Sequence, residues 1–371
     1  MMPHMAASKV LTVIVEQCLA PVPGGTGRYA AEITAALAAS VPTGWRVRTV
    51  TAWHRDTHLA DIDGADGPHR LPAGHRVLNQ LWRRGLPPWV RGTAIQATTP
   101  LAPGRQRNAV VTVHDAVPWT HPETLSPRGV TWHRATVGRA MANAKAIAVP
   151  SRAVADDLAG LFPAASDRIV VVPHGVTPLR PPPDATQRRA RLGLSGRYFL
   201  SVATLEPRKG LDVLIAALAL PAAGDATLAI AGQPGWGGVN LVSLAGAAGI
   251  APERLRLLGR LHDEDLASAM QGATALVAPS RSEGFGLPVL EAFAAGVPVI
   301  CSDAPALVEL SGGAALVVPR EDPAALAAAL GSLLTDPDAA SEMRERGVHR
   351  AAAFSWTTAA ERLWELHLGD R

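Results

Sequence analysis

The chain has 371 residues, a formal net charge of +3 and no block of five or more Lys and Arg, which argues against a protein that wraps a polyanion. Apolar residues make up 48% of it, enough for two full cores, and length over about 150 residues per domain gives two to three domains, so disorder is not expected. Its two cysteines, Cys18 and Cys301, build neither a disulfide framework nor a cysteine metal site.

In chain order, Lys9–Val15 is the first strand, and Glu16 cuts the apolar run too short for a signal peptide. A helix over Gly27–Ala39 follows. Strands are expected at Arg46–Ala52, Ala109–Val113, Ala144–Pro150 and Arg168–Val172, with helices at Arg128–Asn143 and Ala153–Leu161. Leu78–Arg91 carries Trp82, Arg83, Arg84, Trp89 and Arg91. It reads first as a helix packed on its domain with a basic outer face, and alternatively as a contact for an anionic membrane surface or a lipid-linked acceptor. Pro178, Pro181, Pro182 and Pro183 break the alternation and mark a linker. After it come strands at Tyr198–Ala203, Ala226–Ala231, Leu255–Leu258, Ala275–Ala278 and Val297–Cys301, and helices at Gly210–Leu220, Asp263–Gln271, from Pro288, at Pro323–Leu334 and at Trp356–Leu368. No apolar run reaches about 18 residues, so a soluble cytoplasmic chain is expected, with the inner face of the membrane as a second location.

Glu283-Gly284-Phe285-Gly286-Leu287-Pro288-Val289-Leu290-Glu291-Ala292 follows a strand and opens a helix. Pro288 suits the first helical position, the glycines admit close backbone approach, and a helix amino terminus attracts phosphate. Glu283 and Glu291 bracket the turn. A phosphate alone would not favour carboxylates, whereas a ligand with both phosphate and sugar hydroxyls accounts for the set. Thr204-Leu205-Glu206-Pro207-Arg208-Lys209-Gly210 follows another strand, where open α/β sheets bind ligands, and its two cations suit a diphosphate.

With Gly232, Leu258-Gly259 and Pro279-Ser280, these segments resemble the carboxyl-terminal half of retaining family-4 glycosyltransferases, Glu283 and Glu291 forming the family's E-x7-E element. The resemblance runs from about residue 10 to the end. It implies an α/β chain of GT-B fold, two Rossmann-like parallel-sheet domains facing each other across a cleft. The expected division is a first domain at 1–176, a Pro-rich linker at 177–192, a nucleotide-sugar domain at 193–354, and a final helix at 355–371 crossing back to the first domain. Arg208 and Lys209 would hold the nucleotide diphosphate. Glu283 and the Phe285, Gly286 and Leu287 backbone would face the donor sugar and its phosphate, with Gly232 nearby, and Glu291 would bind the ribose. In the first half, Gly24-Gly25-Thr26-Gly27-Arg28-Tyr29 resembles the family's glycine-rich loop, which assigns Gly25 and Gly27 to the donor. His114-Asp115, with His121-Pro122-Glu123, resembles an element of a subgroup that includes many mannosyltransferases, which puts His114 near the reacting carbon. Arg28, Asp115 and Trp119 are acceptor-side candidates.

The expected chemistry is metal-independent, retaining transfer of a hexose to a hydroxyl of a glycan, glycolipid or small molecule. The favoured donor is GDP-mannose, and UDP-glucose is the alternative. No cofactor, metal or nucleic acid is expected, and Asp61-Ile62-Asp63, Asp263-Glu264-Asp265 and Asp336-Pro337-Asp338 read as surface acid. Three rivals stand beside it. Gly25-x-Gly27-x-x-Ala30 formally fits a dinucleotide fingerprint and hence an NAD-dependent oxidoreductase, but Thr51-Ala52-Trp53-His54 lacks the acid that would bind ribose. Glu283 and Glu291 could be a glycosidase pair. A silent sugar-nucleotide-binding protein is the third.

Overall fold

A computed structural model describes residues 8–369 and divides into two units. The first takes the described residues up to Trp119, then Pro127–Gly175 and those from Ser355 on; the second takes Thr120–Ser126 and Val176–Phe354. Residues 1–7 and 370–371, included in the expected first domain and final helix, lie outside the described residues.

In the first unit the strands are β1 (Lys9–Ile14), β2 (Trp45–Trp53), β3 (Asp66–Gly74), β4 (Ala94–Ala97), β5 (Ala109–Thr112), β6 (Ala146–Val149) and β7 (Ile169–Val171). They form one parallel sheet in the order β3-β2-β1-β4-β5-β6-β7. Its helices are α1 (Gly24–Ala39), α2 (His75–Arg83), α3 (Val117–Thr120), α4 (Pro127–Asn143) and α5 (Arg152–Leu161). β5 and β6 are buried along their whole length, which is why they read as plain apolar runs, whereas the equally buried β4 carries Gln96 and was not expected from the sequence. β3 is a polar edge strand with Pro68 and Pro72, a composition that periodicity does not find. On α2, Leu78 and Trp82 are buried, and the Trp82 indole donates to the Pro88 carbonyl (2.8 Å). The helix therefore packs on its unit. Val77 and Trp89 remain exposed.

The second unit continues with α6 (Ala185–Arg191), β8 (Tyr198–Val202), α7 (Leu211–Leu218), β9 (Thr227–Ala231), α8 (Leu241–Ala247), β10 (Leu255–Gly259), α9 (Asp263–Gly272), β11 (Ala275–Ala278), α10 (Leu287–Ala294), β12 (Val299–Ser302), α11 (Pro305–Ser311), β13 (Leu316–Val318), α12 (Pro323–Thr335) and α13 (Pro337–Ala351). Its parallel sheet runs β10-β9-β8-β11-β12-β13. Phe199, Leu214, Leu228, Val277 and Ile300 lie in one core between sheet and helices. Helix α6 begins right after the proline-rich stretch, and its Arg188 pairs with Asp184, Glu264 and Asp265, which ties residues expected in the linker to α9.

The carboxyl-terminal helix, Trp356–Leu368, is capped by Ser355 and belongs to the first unit. The Trp364 indole donates to the Leu37 carbonyl (3.2 Å), and His367 Nε2 donates to Gln96 Oε1 (3.1 Å). In both sheets the strand order reverses beside one strand, β1 in the first and β8 in the second. Parallel sheets bind ligands beyond the carboxyl ends of strands at such reversals.

Candidate active site

In the second unit the reversal lies between β8 and β11. Past β8 the chain makes a short 3-10 turn, Pro207–Lys209, and Gly210 takes a left-handed φ of 63° to start α7. A Cβ at Gly210 would collide with the Pro279 carbonyl, so the loops after β8 and β11 approach at glycine distance. A Cβ at Gly232 would likewise strike the Ala203 carbonyl, so this expected donor residue has a packing role at that edge.

Arg208, Lys209 and Glu283 come together there although they are 74 and 75 residues apart. Lys209 Nζ donates to Glu283 Oε1 (2.6 Å), Ser280 Oγ to the same oxygen (2.7 Å), and Arg208 Nη1 to Glu283 Oε2 (3.1 Å). Arg208 also donates to Glu206 Oε1 (2.7 Å) and to the Ser282 carbonyl (3.0 Å). All four charged side chains are at most 17% exposed. Burial by itself pushes the Glu283 carboxyl up, but the Lys209 and Arg208 charges and the Lys209 and Ser280 hydrogen bonds overcome it and bring it down to about 2. The cations are therefore held ready by carboxylates, which the sequence did not reveal.

Arg281 is a second tie that sequence reasoning missed. Its guanidinium forks onto both Asp212 oxygens (2.9 and 2.7 Å), reaches the Pro207 carbonyl (2.6 Å) and meets Glu321 (3.0 Å). Its own N–H donates to the Arg208 carbonyl (2.8 Å). The available signal was its place between Ser280 and Glu283, in the gap between two segments already singled out.

Lys209, Glu283, Gly286 and Pro288 line one crevice at the carboxyl ends of these strands. Helix α10 starts at Leu287, with Pro288 second rather than first, because Gly286 takes the cap position with φ 105°. Proline's missing N–H costs nothing in that turn. The Phe285 side chain is buried against Phe354, and Leu287 is buried as well, so neither side chain is presented to solvent. Glu291 lies one turn into α10 and is 5% exposed.

In the first unit, the Gly24–Tyr29 stretch is not a loop. It forms the opening turns of α1, and the loop lies upstream at residues 15–23, with a 3-10 turn at Glu16–Leu19. The Pro23 carbonyl accepts from Gly27 N (2.9 Å) and Thr26 Oγ1 (3.0 Å), and a Cβ at Gly27 would collide with the Pro23 ring. Gly25 is exposed in the first turn, and Arg28 is half-buried. The tight strand-to-helix turn of a dinucleotide fingerprint is therefore absent here.

His114 follows β5 and donates from Nε2 to the Thr98 carbonyl (2.8 Å), which leaves Nδ1 as an acceptor. Burial pushes its pKa down, so the ring is neutral near pH 7. It meets Tyr29 edge-on (4.8 Å) and lies 5.4 Å from His174, a second buried ring. Asp115 caps the short α3 through Val117 N (3.1 Å), and Trp119 packs edge-on against Phe162 (5.5 Å). Both expected acceptor-side residues thus have structural work of their own.

Burial pushes the Cys18 thiol up to about 11 and Cys301 to about 12, so both resist ionisation. Among the described residues no group of three His, Cys, Asp or Glu is placed to hold a metal, and Asp336 caps α13 while Asp265 pairs with Arg188. No helix of the described residues is long and apolar enough to cross a membrane.

Two family models match in succession, Glycosyltransferase Family 4 over residues 23–180 and Glycosyl transferases group 1 over residues 184–350. The chain is 32% identical over 262 residues to O-antigen chain mannosyltransferase B of Escherichia coli, covering 68% of each. It is 35% identical over 244 residues to D-inositol 3-phosphate glycosyltransferase of Frankia alni, where the match spans 60% of each. Among solved structures, sucrose-phosphate synthase of Thermosynechococcus elongatus is 25% identical and superposes with a TM-score of 0.76 over 97% of this chain and 98% of that one. Two parallel Rossmann-like sheets, the charge cluster at β8 and β11 and these matches lead to one assignment: the chain belongs to the family-4 glycosyltransferases of GT-B fold.

Proposed function

We propose that the enzyme transfers a hexose, with retention, from a nucleotide-diphosphate sugar to a hydroxyl. The observation that carries this is the convergence of Arg208 and Lys209 on Glu283 beside the start of α10. As the C1–O bond to the diphosphate breaks, its electron pair moves onto the leaving phosphate and negative charge builds there. Arg208, Lys209 and the first amides of α10 stabilise that charge most at the transition state. The acceptor oxygen bonds to C1 on the same face, and its proton passes to the departing phosphate oxygen.

Glu283, an anion above about pH 2, accepts hydrogen bonds and has no proton to give near neutrality. That excludes Glu283 as the general acid of a glycosidase, and the hydrogen bonds from Lys209, Ser280 and Arg208 on both its oxygens disfavour it as the nucleophile. His114 offers Nδ1 to a sugar hydroxyl, and Glu291 is assigned to the ribose. Positive charge already present in the chain leaves the reaction without need of a metal or cofactor.

GDP-mannose is the favoured donor, supported by the mannosyltransferase relative and by the likeness of the Thr204–Lys209 and His114–Glu123 segments. The acceptor class is a glycan, a glycolipid or a small polyol. Thermal-shift measurements with GDP, UDP, GDP-mannose and UDP-glucose test the donor, and GDP ligands are expected to raise the melting temperature most. Anomeric proton couplings of the first isolated product test retention. Donor binding with inverted product would overturn the mechanism, and no shift with any nucleotide would overturn the donor reading.

A further inference from the structure

Three side chains of the first unit, unused by the reading above, meet past the ends of three neighbouring parallel strands. Glu16 follows β1, His54 follows β2, and His75 follows β3. Glu16 is 5% exposed. Its Oε2 accepts Ala52 N–H (2.7 Å), and its Oε1 accepts both His54 Nε2 (2.8 Å) and His75 Nδ1 (2.7 Å).

The sheet does not need this tie. β1 and β2 are paired from Lys9↔Trp45 to Ile14↔Val50, and β2 and β3 from Arg48↔Asp66 to Trp53↔Gly74. A buried carboxylate is costly unless its hydrogen bonds compensate, so a purely structural staple is a poor use of one. What Glu16 does is fix two rings. Each imidazole is held through one nitrogen, and the other, His54 Nδ1 or His75 Nε2, is left for a ligand. The rings are 26% and 50% exposed. The adjoining Arg55 and Arg76 are exposed, while the nearby Asp56 is occupied by His58 (2.8 Å). The place is also the one where a parallel sheet binds ligands, beside the strand at which its order reverses.

We propose that His54 and His75, positioned by the buried Glu16, form a subsite that receives a phosphate group of the acceptor. The word acceptor rests on the glycosyl-transfer reading; the phosphate site does not. The Glu16 hydrogen bond raises the pKa of His75, which favours an imidazolium with one N–H on Glu16 and the other for the phosphate.

The test is a titration of the full chain, labelled with 15N-histidine, at pH 7. Inorganic phosphate, glycerol 3-phosphate, and phosphatidylcholine vesicles with and without phosphatidylglycerol are added separately. His54→Gln and His75→Gln assign the signals. His54 and His75 are expected to shift together and saturate, while His58 and His69, also paired with carboxylates (2.8 and 3.0 Å), stay still. In His75→Gln the phosphate response of His54 weakens about tenfold, the loss of one charge-assisted hydrogen bond. Saturation by glycerol 3-phosphate identifies a soluble phosphate, and a response to phosphatidylglycerol vesicles alone identifies a lipid headgroup. Parallel shifts of all four histidines, no shift with any probe, or an unchanged His54 response in His75→Gln would overturn the subsite. GDP and UDP binding to the same wild-type sample separates the two readings: its absence counts against the donor site and leaves the phosphate result standing.

Discussion

The two units each bury a carboxylate near the reversal point of a parallel sheet, Glu283 in the second and Glu16 in the first, and hold them by different chemistry. Glu283 is gripped by Lys209 and Arg208. Glu16 is gripped by His54 and His75. One cluster sets a carboxylate against an ammonium and a guanidinium, and the other sets it against two imidazoles. Glu283 has a depressed pKa, so its contribution to stability is present above the unfolded value near 4.5 and lost as pH falls through about 2. His75 has a raised pKa, so its contribution is present below 6.5 and lost as pH rises through its higher folded value. The cluster proposed to clamp a diphosphate is thus built from Arg and Lys, and the one proposed to receive a phosphate from His.

The largest expected break in this comparison is Arg208→Ala or Lys209→Ala, each lowering the rate of glycosyl transfer about 10²–10³-fold in steady-state kinetics with the donor that binds. Next comes Glu283→Gln, expected to lose on the order of 3 kcal/mol in urea unfolding at pH 7, with the difference from wild type shrinking as pH falls from 4.5 toward 2. Arg281→Ala removes the fork onto Asp212 and the hold on Pro207. Because Asp212 is 45% exposed, solvent screening limits the expected loss to about 1–2 kcal/mol by the same measurement. The smallest effect is His75→Gln. This half-exposed ring is expected to contribute less than about 1 kcal/mol at pH 6, and less still as pH rises through its raised folded value.

These contrasts also show what a linear sequence reveals. The buried strands β5, β6 and β11 were legible as apolar runs, and Glu283–Ala292 and Thr204–Gly210 stood out as candidate segments because each joins a strand to a helix start. The pairing of Glu283 with Arg208 and Lys209 was not, since it is made by the sheet order that sets β8 beside β11. The meeting of Glu16, His54 and His75 was hidden for a similar reason: each simply follows a strand until three strands align their ends. β3 hid behind its prolines and charges, and α1 began early because Gly24, with φ 56°, turns the chain straight into the helix. Local chemistry can be read along the chain, whereas convergence is a property of topology.

The central claim is that Arg208 and Lys209, the cations that follow β8, bind the diphosphate of the donor. Calorimetric titration of wild type and Lys209→Ala with GDP, UDP and their parent nucleosides tests it most directly. The account expects wild type to bind one diphosphate far more tightly than its nucleoside, and Lys209→Ala to lose at least about tenfold of that preference. Equal affinity of wild type and Lys209→Ala for the diphosphate would contradict it.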